Sequence, residues 1–174
     1  MESCSLSNVI QRLQENIAKR IDLSKSRIGV EGARTLSESL KVNNSLQRLN
    51  LSSNQIGFEG ARTLSESLKV NNSLQHLNLS LNQISDEGAR SLFESLKVNN
   101  SLQYLLFDAN NCERTLMESL EHSLEVNLHP EQFPNEMEEK RKAQIMTQQI
   151  EWKPNEKVHQ SYPKTFKREV SGWK

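Results

Sequence analysis

The sequence is short of nearly everything that marks a charged, membrane-bound or disulfide-stapled protein. Lys plus Arg equals Asp plus Glu at 22 each, so no net field draws the chain to nucleic acid or to an anionic membrane. No stretch approaches the roughly 18 consecutive apolar residues of a spanning helix. Two cysteines, Cys4 and Cys112, are too few for a disulfide framework. Met1 to Leu13 includes Glu2, Asn8, Gln11 and Arg12 and lacks a continuous apolar core, so no secretory signal is expected there. These absences predict a monomer in a reducing, cytoplasmic setting, with no nucleic-acid or membrane partner. The Asn-x-Ser sequons at Asn43, Asn50, Asn71, Asn78 and Asn99 are then unmodified by-products of repetition. Chemistry-bearing constellations are scarce too. His76, His122, His129 and His159 have no metal-ligand spacing with cysteine or acid, and no nucleophile–base pattern occurs. The reading is of a non-enzyme with no cofactor and no metal.

Repetition is what the sequence does have. Glu31–Leu49 reads EGARTLSESLKVNNSLQRL and Glu59–Leu77 reads EGARTLSESLKVNNSLQHL; a third copy, Glu87–Leu105, reads EGARSLFESLKVNNSLQYL. The offset is 28 residues, a period characteristic of stacked supersecondary units. In register, Leu23, Leu51, Leu79 and Phe107 form one column, and Ile28, Ile56, Ile84 and Cys112 another. Leu36, Leu64, Leu92 and Leu120 form a third, and Leu40, Leu68, Leu96 and Leu124 a fourth. Cys112 thereby reads as a core residue. Four units span residues 18–128, the last degenerate and stopped by Pro130, as the end of a stack requires.

Each unit has two parts. The alternation Leu49-Asn50-Leu51 predicts a short strand with leucines inward, and Asn54, Asn82 and Asn110 then satisfy backbone groups in the turn that follows. Ser26 in place of Asn ends that ladder. Ala61, Leu64 and Leu68 fall at helical spacing and predict a helix over Phe58–Val70, with Gly60 allowing close approach of the neighbouring unit. Asn71 and Asn72 are expected to take left-handed backbone at the helix end. Arg34, Arg62 and Arg90 are expected to pair with Glu38, Glu66 and Glu94 on a solvated face. Helices are wider than strands, so the stack bends into an α/β arc with parallel strands on the concave face and helices on the convex face.

The pattern LxxLxLxxNxIxxxGAxxLxxxL resembles the ribonuclease-inhibitor-like class of leucine-rich repeats. That class includes the receptor repeats of nucleotide-binding innate sensors, tropomodulin and the Ran GTPase-activating protein. The resemblance implies the solenoid fold; for function it implies only a range, since the relatives share an architecture and not an activity. One implied role is regulation of a small GTPase, for which Arg27 and Asn54 lie in the appropriate turn. Another is binding to the end of an actin-type filament.

The ends are expected to differ from the repeats. Residues 1–17 form an N-terminal capping helix, with Leu6, Val9, Ile10, Leu13 and Ile17 as its apolar stripe and Ser5 or Ser7 as its cap. Residues 129–174 form a tail with a helix over 135–150, carrying Met137, Ile145, Met146 and Ile150, and then largely disordered chain. Trp152, Tyr162, Phe166 and Trp173 in a basic setting could make that final stretch a docking segment.

The predicted function is a non-catalytic interaction module or scaffold that binds a protein partner through the concave face. Three outward columns define the candidate surface: Arg20, Arg48, His76 and Tyr104; then Asp22, Asn50, Asn78 and Leu106; then Ser24, Ser52, Ser80 and Asp108. The first column varies most and holds the Arg and Tyr favoured in interfaces. The residues expected to carry binding are Arg20, Arg48, His76, Tyr104, Asn50, Asn78, Leu106 and Asp108.

Overall fold

A computed structural model describes residues 6–151. Its order is α1 (Leu6–Gln14), β1 (Arg20–Asp22), α2 (Gly29–Val42), β2 (Arg48–Asn50), α3 (Gly57–Val70), β3 (His76–Asn78), α4 (Asp86–Leu96), β4 (Tyr104–Leu106), α5 (Arg114–Leu128) and α6 (Pro134–Glu151). The strands form one parallel sheet in the order β1-β2-β3-β4, each shifted from the last by 28 residues: Arg20 faces Arg48, Arg48 faces His76, and His76 faces Tyr104. Identical columns therefore stack upon one another, which is how a unit too small to bury its own apolar face acquires a core.

That core is the set of leucine columns. Leu36, Leu64 and Leu92 are fully buried, as are Leu46, Leu74 and Leu102 and the inward strand-exit residues Leu23, Leu51 and Leu79. Gly60 and Gly88 sit where helices touch: a Cβ on Gly60 would lie 3.2 Å from the Ala33 Cβ, and one on Gly88 would lie 3.2 Å from the Ala61 Cβ. The small side chain at these positions sets how near α2, α3 and α4 can approach.

Two asparagine ladders hold the turns. In the first, Asn54 Oδ1 accepts from the backbone N–H of Ser26 at 2.9 Å and Asn82 Oδ1 accepts from that of Asn54 at 2.8 Å. Asn110 Oδ1 accepts from the Asn82 N–H at 3.0 Å. Each amide also donates inward; Asn82 Nδ2 reaches the carbonyls of Leu51 at 2.8 Å and Leu79 at 2.9 Å. Ser26 is the final rung: its N–H donates to Asn54, and it has no side-chain amide to offer a further unit.

The second ladder, of Asn43, Asn71, Asn99 and Asn127, corrects the expectation at the helix ends. Asn43 and Asn71 are not left-handed; their φ and ψ are −78° and 131°, and −75° and 126°. Asn71 is buried, with Oδ1 accepting from the Leu74 N–H at 2.8 Å and Nδ2 donating to the Leu40 carbonyl at 2.8 Å and the Asn43 carbonyl at 2.9 Å. A side chain that answers polar groups of two adjacent units makes left-handed backbone unnecessary. Apart from Asn16 after α1, the left-handed residues lie instead in the turn after each strand: Lys25, Arg27 and Gly29, then Ser53, Gln55 and Gly57, then Leu81 and Gln83, and finally Ala109.

Both ends of the second ladder are closed by non-repeat helices. At the start, Asn43 Nδ2 donates to the Leu13 carbonyl of α1 at 2.7 Å. At the far end, Asn127 Oδ1 accepts from Lys140 Nζ of α6 at 3.0 Å, and the same ammonium donates to the Ser123 carbonyl at 2.8 Å. Helix α1 buries Val9 and Leu13, while Ile17, expected in its stripe, is 63% exposed. The helix has ended by then, because Asn16 turns left-handed and its Oδ1 accepts from the Asn44 N–H at 2.8 Å. Helix α6 likewise departs from its expected stripe. Ile145 and Met146 are exposed, and the packed side is Met137 with the polar Lys140 and Gln144. It crosses the ends of α5 and α3, where carbonyls and asparagines are the groups to be met; Gln144 Nε2 donates to Asn72 Oδ1. The expectations placed on Cys4, Ser5 and Trp152–Lys174 lie outside the described residues.

On the convex side the charges pair differently from the expected Arg–Glu pattern. Arg62 reaches back to Glu59 at 2.8 Å, and Glu66 takes Lys69 at 2.7 Å. These exposed pairs contribute little, about 0–1 kcal/mol each.

Candidate protein-binding face

Three-residue strands leave no ambiguity about direction. The middle residues Ile21, Leu49 and Leu77 are buried, so the flanking residues Arg20 and Asp22, Arg48 and Asn50, and His76 and Asn78 face the concave side. Seven of the eight predicted residues, namely Arg20, Arg48, His76, Tyr104, Asn50, Asn78 and Leu106, line one shallow open concavity together with Asp22. Asp108 does not join them. It lies past the strand and lines a separate cleft at the last unit.

The first column is graded, as its sequence indicates. Arg20 and Arg48 are exposed at one end. At the other, the His76 and Tyr104 rings stack with centroids 4.5 Å apart and planes 6° from parallel. Partial burial lowers the His76 pKa, and the positive charges of Arg48 and Arg20 lower it further. A neutral imidazole stacked on a phenol is a flat amphipathic step. Leu106, 55% exposed, extends that step with an aliphatic side chain where the other strands carry Asp or Asn.

The second column is partly occupied in holding its own turns. Asp22 Oδ1 accepts from the Ser24 N–H at 2.8 Å, and Asn50 and Asn78 accept from Ser52 at 3.1 Å and Ser80 at 3.0 Å. Asn50 Nδ2 also donates to Asp22 Oδ2 at 3.2 Å. The bonds with Ser24, and that from Asn50, hold the Asp22 carboxyl below the usual range. Leu106 breaks this series, so the surface changes from self-satisfied and polar to apolar along the arc.

Neither residue considered for nucleotide chemistry is arranged for it. The Asn54 amide is fully buried and committed to Leu23, Leu51 and Ser26. Arg27 is exposed in the turn. Cys112 is half-buried, donates to the Ile84 carbonyl at 3.1 Å, and has its thiol pKa pushed up to about 11, first by burial and then by Asp86. A thiol so held is no nucleophile at neutral pH.

A family model described as Leucine Rich repeat matches residues 42–65 and 70–93. The chain carries leucine-rich repeats. The first match runs from the end of the first unit into the second and the next from the end of the second into the third, and the sheet keeps the same 28-residue register there. Among solved structures, the leucine-rich-repeat arc is similar to one titled Leiomodin-1 Actin-Binding Site 2, with a TM-score of 0.62 and 19% identity, covering 80% of this chain and 98% of that one. A tropomodulin C-terminal domain from Caenorhabditis elegans aligns with a TM-score of 0.48 at 17% identity, over 75% of this chain and 97% of that one. No curated protein sequence matches the chain.

Sequence reasoning missed two features of the leucine-rich-repeat arc. One is the second asparagine ladder, legible in principle because Asn43, Asn71, Asn99 and Asn127 keep the 28-residue interval. The other is the last unit's outer side, where Leu105, Leu106, Leu124 and Leu128 line a cleft that no other described element covers. The signal there was Glu121, which stands where the other units have Ser37, Ser65 and Phe93.

Proposed function

We propose that the arc is a non-catalytic protein-interaction module that takes its partner on the concave face. The observation that carries this reading is the alignment of Arg20, Arg48, His76 and Tyr104 in one register across four strands. Such a row offers cationic donors at one end and an aromatic–aliphatic step at the other. A partner segment with a carboxylate-rich stretch followed by an apolar side chain matches that gradient. Rigid strands present these groups in fixed positions, which lowers the ordering cost of binding. The same reading has the chain acting as a monomeric cytoplasmic scaffold; the free, hydrogen-bonded thiol of Cys112 suits a reducing compartment. Capture of a partner from cell extract by the full chain, set against the Arg48→Glu/Tyr104→Ala variant, tests the assignment.

A narrower reading is that the partner is actin. It is supported by the structural likeness to a domain whose title names an actin-binding site. Co-sedimentation with actin filaments, and binding to monomeric actin, test it directly. Absence of both at micromolar protein would set this reading aside while leaving the concave-face assignment standing.

A further inference from the structure

The two ends of the stack are finished differently. At the first unit, α1 lies over the end and buries Val9 and Leu13. At the last, β4 is the edge strand of the sheet, and α6 runs away from it toward α3. Among the described residues, Leu105, Leu106, Leu124 and Leu128 consequently line an open cleft on the outer side of the last unit. Leu106 is exposed and Leu105 half-buried, whereas the equivalent core position Leu77 in β3 is 2% exposed. An exposed leucine with partly buried leucines at its side, along the edge strand of the described sheet, is what a further element of structure ordinarily covers.

The rim of this end is acidic. Glu121 and Glu125 border the cleft, and Asp108 borders its neighbour; among the described residues that line the two clefts none is Lys or Arg. The repeat makes the contrast sharp. Glu125 stands where the other units have Lys41, Lys69 and Lys97, so this unit reverses the charge found at that position in every other.

One segment of the chain has the opposite character. Trp152–Lys174 holds six Lys or Arg against two Glu, together with Trp152, Tyr162, Phe166 and Trp173. It begins where α6 ends. Its 23 residues can span up to about 75 Å when extended, more than enough to return along the 18-residue α6 to β4. Tethering makes such an encounter intramolecular, at an effective concentration in the millimolar range.

We propose that residues 152–174 dock in cis on the outer side of the last unit. Their aromatic side chains cover Leu105, Leu106, Leu124 and Leu128, and their basic side chains lie beside Glu121 and Glu125. The segment then acts as the missing cover of the stack. A partner that binds either the segment or the end face must first displace this contact.

The protein carries its own probe, because its two tryptophans, Trp152 and Trp173, both lie in the segment. In the full-length Trp152→Phe variant, Trp173 is the single emitter. Docking predicts emission blue-shifted from free indole and protection from acrylamide at every protein concentration. Both should be lost on Glu121→Lys/Glu125→Lys, with circular dichroism and the melting temperature unchanged since both glutamates are exposed. Adding Lys164→Glu/Lys167→Glu/Arg168→Glu should restore them. The proposal is overturned if Trp173 emits as free indole in the parent. It is equally overturned if the charge reversals leave its emission unchanged, or if the swap fails to restore it. A blue shift that appears only as concentration rises, with a doubled sedimentation mass, would assign the end face to a second copy and overturn docking in cis.

Discussion

The backbone N–H of Asn54 donates to Oδ1 of Asn82 at 2.8 Å, joining two residues 28 apart that hold the same place in adjacent units. The same oxygen also accepts from the Ile56 N–H at 3.3 Å, and the Asn82 amide nitrogen bonds carbonyls of both its own and the preceding unit. One buried side chain therefore answers two backbone donors and at least two acceptors in a place water does not reach.

Replacing it exposes the cost. Asn82→Ala is expected to destabilise the fold by about 3 kcal/mol or more, since each buried backbone group left unpaired costs roughly 1–3 kcal/mol. Ser26→Ala, at the terminal rung, should change stability by less than about 0.5 kcal/mol, as exposed substitutions usually do. Urea unfolding of both variants checks the contrast; equal losses would contradict the ladder's direction.

Leu81 holds left-handed backbone, φ 59°, with its side chain 57% exposed. A leucine there sustains a strain of roughly 1–2 kcal/mol without a compensating core contact. Leu81→Asn is expected to stabilise by about 1 kcal/mol, because Asn tolerates this region better. A lower melting temperature in the variant would show that Leu81 makes a contact worth more than the strain.

Lys140 makes stability depend on pH in the alkaline range. Burial brings its folded pKa down to about 8 from 10.5, against a smaller opposing effect of Glu136. Between those values the unfolded chain binds more protons than the folded one, so stability rises with pH. The depressed pKa means that charging the ammonium costs stability, and this cost is fully present below pH 8 and relieved toward pH 10.5. Denaturant midpoints of wild type and Lys140→Met across that window should show the rise only in the wild type. Parallel profiles would contradict the burial of the ammonium.

Much of this architecture was readable because repetition converts local chemistry into a lattice. Once Leu49 and Leu77 share a column, the inward direction of every strand follows, and with it the outward placing of Arg48, His76 and Tyr104. Local rules failed where a side chain serves a neighbouring unit. Asn71 looks like a residue for left-handed backbone when read alone, yet it bonds Leu40 and Asn43 of the preceding unit. Several left-handed positions, among them Lys25, Arg27, Leu81 and Ala109, carry no turn-residue signature. The packing side of α6 was illegible for a related reason: it meets helix ends, so Lys140 and Gln144 are buried beside Met137 while Ile145 and Met146 are exposed.

The concave-face assignment is tested most directly by comparing two charge-altering variants in the same capture experiment. Arg48→Glu/Tyr104→Ala changes the concave row, and Arg62→Glu/Arg90→Glu changes the convex side; all four side chains are exposed. Extract is passed over wild type and both variants at matched, verified folding, and the retained protein is quantified by mass spectrometry. The account predicts that one partner is kept by wild type and by the convex variant and lost at least tenfold by the concave variant, a difference of about 1.4 kcal/mol or more. Retention by the concave variant with loss by the convex one would contradict it.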